Sequence, residues 1–188
     1  MPEGLELEFS ETNKYIGVII AVMAAGLALT EAAARSAQAD TIRDTVEASD
    51  TWAFYQAKNI RANTLRVGAD QFEIAAMGLP NGAQTTAISK KLEDWRATIK
   101  RYESDPEKGE GMKELTDKAH KIVAHREERA AAGENYEHAS AALQLGILLA
   151  SAAVVTGFVW IAYVGAGLGV IGALFAALAM AAPHLLAW

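Results

Sequence analysis

The hydrophobic pattern of this chain contains two long stretches without a charged side chain. The stretch from Ala139 to Trp188 has no Lys, Arg, Asp or Glu, and neither does the stretch from Tyr15 to Thr30. Because about 20 apolar residues cross a bilayer once as a helix, the longer stretch has room for two spans and the shorter one for a third. The pattern therefore predicts an all-α membrane protein with three transmembrane helices, at residues 15–30, 139–156 and 160–182.

The break between the last two spans has two candidate positions in the sequence, Thr156-Gly157 and the glycine-rich stretch 165–169. The earlier position places Trp160 and Tyr163 at one membrane interface and Trp188 at the other, and amphipathic rings prefer such interfaces. We therefore expect the earlier break.

Residues 31–138, between the first and second spans, are predicted to form a helical stalk domain. They contain 16 of the 17 Lys and Arg and 19 of the 23 Asp and Glu, so the insert is highly charged but nearly balanced. No Gly occurs between Gly26 and Gly68, and no Pro occurs between Gly26 and Pro80. This composition predicts one unbroken helix from Tyr15 to Met77, roughly 95 Å long.

A second helix is predicted over Ala83–Glu103, where apolar residues recur at spacings of four and three. After a break rich in turn residues, a third helix is expected to begin near Met112 and to continue into the second span. The insert is thus a long helical hairpin with one extra helix laid against it, placed between the first and second spans. The heptad residues of the second helix are Ile88, Leu92, Trp95, Ile99 and Tyr102.

The N-terminal arm, residues 1–14, is acidic. Leu5, Leu7 and Phe9 alternate with glutamates, which would suit an extended arm that adds to a partner, but a disordered acidic tail is the favoured interpretation. A secretory signal would begin with basic residues, so the first span is expected to be retained.

Small residues at every fourth position of the third span give the strongest interaction signal. Apolar burial does not drive helices together in lipid, so rows of small residues commonly mark where helices touch. The row predicts a helix-packing interface, either between copies of the chain or only against its own spans. Its members are Gly165, Gly169, Ala173, Ala177 and Ala181.

The aromatic cluster Trp52, Phe54 and Tyr55 is a second predicted contact. These positions span nearly a full helical turn, so the three rings cannot all face one way. Together with the heptad residues of the second helix, they are expected to serve stalk packing or a subunit contact. Either the second helix and its Trp95 cover all the rings, or at least one ring meets another subunit.

The sequence offers no constellation for a reaction. His120, His125, Glu134 and His138 fall on one predicted helix, but the first two are five residues apart, which separates them by about 140° around the helix. We expect solvated histidines and no metal site. The spans carry no charged side chain at mid-depth, which disfavours ion transport. The chain has no Cys, which excludes thiolate metal sites and a Cys nucleophile, and no basic patch that would suggest a nucleic-acid partner. Without paired acids and bases or a metal site, no cofactor or catalytic residue is expected.

The stretch Ala48–Arg61, ASDTWAFYQAKNIR, and the stretch Leu143–Ser151, LQLGILLAS, carry a resemblance to a known family. They resemble a bacterial membrane-protein family known only as a domain of unknown function, and the resemblance covers most of the chain. It implies no activity, substrate or catalytic residue. Family members often place basic residues in the turn between the last two spans, which implies a cytoplasmic turn and an exported insert. Here that turn, Thr156–Val159, carries no cation.

Arg35 and Arg43, beyond the first span, would by the usual count favour a cytoplasmic insert, but the rule weakens for inserts longer than about 60 residues. We expect a multi-pass protein of the bacterial inner (cytoplasmic) membrane with a periplasmic stalk.

These patterns favour a non-enzymatic membrane protein that self-assembles or serves as an accessory or scaffolding subunit of a larger membrane complex. Its expected partners are membrane lipids and copies of itself or other subunits. An oligomeric channel lined by Ser140, Gln144 and Ser151 is one alternative. A binding module that uses the acidic N-terminal arm for a diffusible partner is another.

Overall fold

The computed structural model describes residues 11–80 and 82–186. Four α-helices and one 3-10 turn make up the regular structure of this part of the chain, which contains no strand. The all-α fold is therefore confirmed. Residues 1–10 of the acidic arm lie outside the described residues, as does Trp188, whereas residues 11–14 form the beginning of the first helix. The helices are α1 (Glu11–Ala76), α2 (Ala83–Glu103), α3 (Met112–Thr156) and α4 (Val159–Ala181), and the 3-10 turn is Pro183–Leu186.

The helix α1 is continuous over 66 residues. Its threonines do not interrupt it, because their hydroxyls donate to carbonyls one turn earlier, as Thr30 does to Gly26 at 2.8 Å and Thr51 to Glu47 at 2.8 Å. It ends at Ala76, just before Gly78 and Pro80, where a proline without an N–H cannot continue the helical ladder. The unbroken first helix expected from the sequence is therefore present.

The break between the last two apolar helices lies at Gly157 and Phe158, the earlier of the two candidate positions. Gly157 has φ +77°, a left-handed conformation that ends many helices and that glycine adopts without a Cβ penalty. Three of the helices, α1, α3 and α4, each contain a stretch long and apolar enough to cross a membrane. The fold thus has three candidate spans with a helical insert between the first and the second.

The chain divides into two compact units. The first contains α1 up to Ile42 and the chain from Arg126 onward. Its apolar core is formed where the three candidate spans meet, and Ile20, Leu27 and Ile147 pack around that core. The buried core residues are Ile16, Met23, Leu143, Ala150, Ala153 and Ala162.

The second unit, Arg43–His125, contains the rest of α1, all of α2 and the beginning of α3. The heptad side of α2 faces inward, with Leu92 and Ile99 buried. Trp95 packs edge-on against Phe72 of α1 with ring centroids 5.3 Å apart. Gly68, one turn before Phe72, leaves room for the indole, since a Cβ there would lie 3.0 Å from Trp95 Cζ3. A glycine inside α1 thus permits the close approach of α2.

Candidate membrane packing surface

The row of small residues predicted on α4 divides into a buried part and an exposed part. Gly165 and Gly169 are buried, whereas Ala173, Ala177 and Ala181 are exposed. Positions four apart advance about 40° around a helix at each step, so a strict row of this kind winds away from a neighbour that it touches at its start. The face that α4 buries instead follows spacings of three, four, three and seven. Its residues are Ala162, Gly165, Gly169, Gly172 and Ala179.

Glycines allow the backbones of α3 and α4 to come into contact within the first unit. A Cβ at Gly165 would lie 2.7 Å from the carbonyl oxygen of Gly146, and one at Gly172 would lie 2.9 Å from that of Ala139. Both distances are shorter than real Cβ contacts, so no larger residue fits without a shift. This is the close approach that small residues permit between helices in lipid.

The same face of α4 also receives a side chain from α1. A Cβ at Gly169 would lie 2.6 Å from the sulfur of Met23, which is itself 6% exposed. The thioether of Met23 therefore occupies the space above this glycine, and a flexible methionine suits such an irregular gap. Gly165 and Gly169 consequently serve packing inside the chain.

Next to these contacts, α1 and α4 line an open apolar groove of about 820 Å³. Val22 and Gly26 of α1 line one wall, Ala173 and Ala177 of α4 line the other, and Leu143 of α3 also lines it. Thr30 contributes a hydroxyl to this lining, but that hydroxyl is already bonded to the Gly26 carbonyl. Two of the three exposed alanines of the predicted row, Ala173 and Ala177, therefore face an apolar space that the described part of the chain leaves unfilled.

A polar cluster lies where the apolar part of α1 ends. Glu31 accepts a hydrogen bond from Gln144 Nε2 at 3.2 Å and pairs with Arg35 at 3.1 Å. Ser140 lies beside them and is buried, and its hydroxyl has no hydrogen-bond partner among the residues that the structure describes. The amide of Gln144 thus joins α3 to α1 at this level of the first unit.

The residues considered for a channel do not share one environment. Ser140 is buried, whereas Gln144 and Ser151 are exposed. The Ser151 hydroxyl donates to the Ile147 carbonyl at 2.8 Å, within its own helix. Hydroxyls bonded in this way are compatible with a lipid-facing or helix-facing position as well as with a pore.

The aromatic cluster of the second unit is covered mainly by residues that sequence reasoning did not pair with it. Trp52 lies edge-on to Tyr55, at 5.6 Å between centroids, and to His120 of α3, at 5.9 Å. Phe54 is 40% exposed and has the ammonium of Lys58 over its ring at 4.9 Å. The alternative in which α2 and its Trp95 cover all three rings is therefore wrong, because Trp52 packs against α3 and Phe54 remains partly open.

The histidines considered for a metal site have other neighbours. His120 lies against Trp52, His125 Nδ1 lies 2.6 Å from Asp44 Oδ2, and the ring of His138 lies 5.7 Å from that of Phe175. Within residues 11–80 and 82–186, no group of three or more His, Asp or Glu is arranged to hold a metal ion.

An all-α chain with three candidate membrane spans and a charged helical insert defines a class of multi-pass helical proteins. The chain belongs to the family described as Domain of unknown function (DUF4337), whose model matches residues 12–182. No curated protein and no solved structure was found to match it. The sequence-based recognition of a family of unknown function is confirmed.

Proposed function

We propose that this protein is a non-enzymatic integral membrane protein of the bacterial inner membrane that self-assembles, or that serves as an accessory subunit of a larger membrane complex. The observation that carries the proposal is the apolar groove between α1 and α4, with its exposed Ala173 and Ala177.

Small side chains on the open wall of the groove favour a helix as its occupant. In lipid, helices associate through close van der Waals packing, and alanines let a neighbouring backbone approach more closely than leucines do. Val22 and Met180 are 67% and 79% exposed and border the groove, so an incoming helix would also gain contacts with these larger side chains. A second copy of the chain supplies such helices at the correct membrane depth.

The native mass of the protein in lipid nanodiscs tests this proposal. We expect the wild type to have a mass that is a multiple of 20.0 kDa, and Ala173→Leu to reduce it, because a leucine would fill the groove. Ala181→Leu is the matched control: it makes the same change at another exposed position of the row, one that does not line the groove. A monomeric wild type, or equal loss with both variants, would contradict assembly through the groove.

Gly169→Leu is a less selective variant. A leucine there would collide with Met23 of the same chain, so a change in its mass would report damage to the fold as much as a lost partner. The exposed alanines separate the two effects.

A further inference from the structure

The part of α1 in the second unit carries an apolar stripe with a period of exactly seven residues. Four of its five members are large and well exposed: Val46 at 56%, Ile60 at 66%, Val67 at 57% and Ile74 at 70%. The fifth, an alanine, is exposed as well. The stripe consists of Val46, Ala53, Ile60, Val67 and Ile74.

The fold of the second unit does not use this stripe. The residues through which this part of α1 is buried lie on another face. They are Ala48, Thr51, Lys58, Ala62 and Ala69. The stripe is therefore a separate surface, and each copy of the chain presents it to solvent.

A period of seven indicates a partner helix. On a straight helix a residue at every seventh position drifts by about 20° per repeat, so four repeats would turn the stripe by about 80°. Only a helix that winds around α1 in a left-handed supercoil stays in contact with all five residues. Isolated apolar residues on a solvated helix would need no such constant spacing.

We propose that this stripe is the seam of a parallel two-stranded coiled coil formed with α1 of a second copy, a proposal that rests on the self-assembly proposed above. The apolar stretch of α1 enters the membrane in the same direction in every copy, so two such helices run parallel and meet in the same register. Each β-branched residue of the seam then packs against its own counterpart, as residues at the a position of a parallel coiled-coil dimer do.

The charges beside the seam are compatible with this pairing. In a parallel pair, the residue just before a seam position on one copy faces the residue five positions later in the sequence on the other copy. These pairs are Asn59 with Thr64, and Arg66 with Gln71. Neither pair brings like charges together. Three positions after the first three seam residues lie Ser49, Gln56 and Asn63, whose uncharged polar side chains can hydrogen-bond to their counterparts in the other copy. Three positions after Val67 lies Asp70, the one residue of this set that faces a like charge, the Asp70 of the other copy.

The size of the seam sets its strength. From Val46 to Ile74 it is about 42 Å long at 1.5 Å per residue. With a helix about 10 Å wide, two copies would cover about 840 Å², below the roughly 1,000 Å² expected of a stable interface. We therefore expect the seam to hold only when the membrane-spanning helices also associate, and the test requires the full chain in a membrane.

Because the chain has no cysteine, single introduced thiols report the contact directly. We expect Ile60→Cys and Val67→Cys to form disulfide-linked dimers in membranes when an oxidant is added. Arg61→Cys and Ala75→Cys are the controls, since both positions are exposed but lie one residue off the stripe. Equal cross-linking at all four positions, or none at the seam positions, would overturn the proposal.

The direction of the pair is tested at the ends of the stripe. In a parallel pair, Val46→Cys and Ile74→Cys each cross-link to themselves, whereas in an antiparallel pair they cross-link only to one another when the two variants are mixed. The second pattern would also overturn the proposal.

The native mass separates this inference from the proposed function. An oligomeric wild type without seam cross-links would refute the coiled coil and leave assembly through the groove in place. A monomeric wild type would refute both. Ile60→Asp, at an exposed position that leaves the monomer fold intact, is expected to abolish cross-linking through Val67→Cys without a change in monomer unfolding.

Discussion

Gly111 illustrates how one residue fixes the entry into α3. A Cβ at this position would lie 2.5 Å from Ser104 Cα and even closer to the backbone nitrogen of Asp105. Because neither backbone atom can move aside easily, we expect Gly111→Ala to lower the free energy of unfolding by about 1–3 kcal/mol, as overpacking commonly does. Denaturant unfolding of the detergent-solubilised protein measures the loss. Gly78→Ala, where a Cβ meets nothing within 4 Å, is the control, and an equal effect of the two would contradict the steric argument.

Glu114, in the first turn of α3, makes the stability of the loop between α2 and α3 dependent on pH. The Ser104 hydroxyl donates to its carboxylate at 2.6 Å and the Asp105 backbone N–H at 3.0 Å, and these bonds hold the pKa of Glu114 below its ordinary value. A carboxyl whose pKa is lowered by folding stabilises the fold fully above its ordinary pKa, and this contribution disappears as the pH falls through the lowered pKa.

We therefore expect Glu114→Gln to lower the melting temperature at neutral pH, and the gap from the wild type to close as the solution is acidified below the ordinary carboxyl range. Thermal unfolding followed by circular dichroism over an acid series measures this gap. Glu93→Gln, at an exposed carboxyl of α2, should leave the melting temperature nearly unchanged throughout. A gap for Glu114→Gln that does not vary with pH would show that the charge of the carboxylate is unimportant.

At the scale of helices, Lys58 of α1 joins α2 and the following loop. Its side chain is 8% exposed, with its ammonium 4.9 Å from the Phe54 ring centre, 5.7 Å from that of Tyr102 and 3.6 Å from a carboxylate oxygen of Glu110. A methionine would keep the length of the side chain but lose the ion pair and the cation–π contacts. Glu110 is 52% exposed and would regain water, so we expect Lys58→Met to cost about 1–3 kcal/mol, less than breaking a fully buried pair.

Denaturant unfolding again gives the comparison. Lys91→Met removes an ammonium 5.5 Å from the Trp95 ring at an exposed position and should cost less than half as much. If the two variants were equally stable, the burial of Lys58 would contribute nothing to the contact between α1 and α2.

The helices could be predicted from the sequence because their signals are local. The heptad spacing and the flanking glycines define α2, and the absence of Gly between Gly26 and Gly68 accounts for the continuity of α1. The contacts between helices could not be predicted in the same way. Whether Trp52 meets His120 of α3 or Trp95 of α2 depends on where these two helices lie along α1, and no local pattern in the sequence determines those positions.

The buried face of α4 could be predicted in part, unlike the contact of Trp52 with α3. The row at every fourth residue included Gly165 and Gly169, which are buried, but continued to alanines that are exposed. Spacings of three and four, as in Ala162, Gly165, Gly169 and Gly172, follow the helical repeat more closely and would have identified the inward face from the sequence. The exposed alanines then become informative because they do not belong to that face.

At the scale of the whole molecule, if all three candidate spans cross the membrane, the insert and the segment after α4 lie on the same side, opposite to the turn at Phe158. If the insert is periplasmic, as expected from the sequence, a membrane-impermeant maleimide added to intact bacterial cells should label Ser89→Cys on α2 and Leu185→Cys after α4. Phe158→Cys should react only after the membrane is permeabilised. All three positions are exposed, so differences in reactivity report sidedness and not burial.

The opposite pattern, with only Phe158→Cys labelled, would place the insert in the cytoplasm, as the positive charges of Arg35 and Arg43 suggest by the usual count. Labelling of Phe158→Cys and Leu185→Cys from the same side would instead show that α4 does not cross the membrane. That result would also remove the groove between α1 and α4 from the bilayer, and with it the reason for expecting its exposed alanines to receive a helix. The sidedness experiment therefore tests the premise on which assembly through the groove depends.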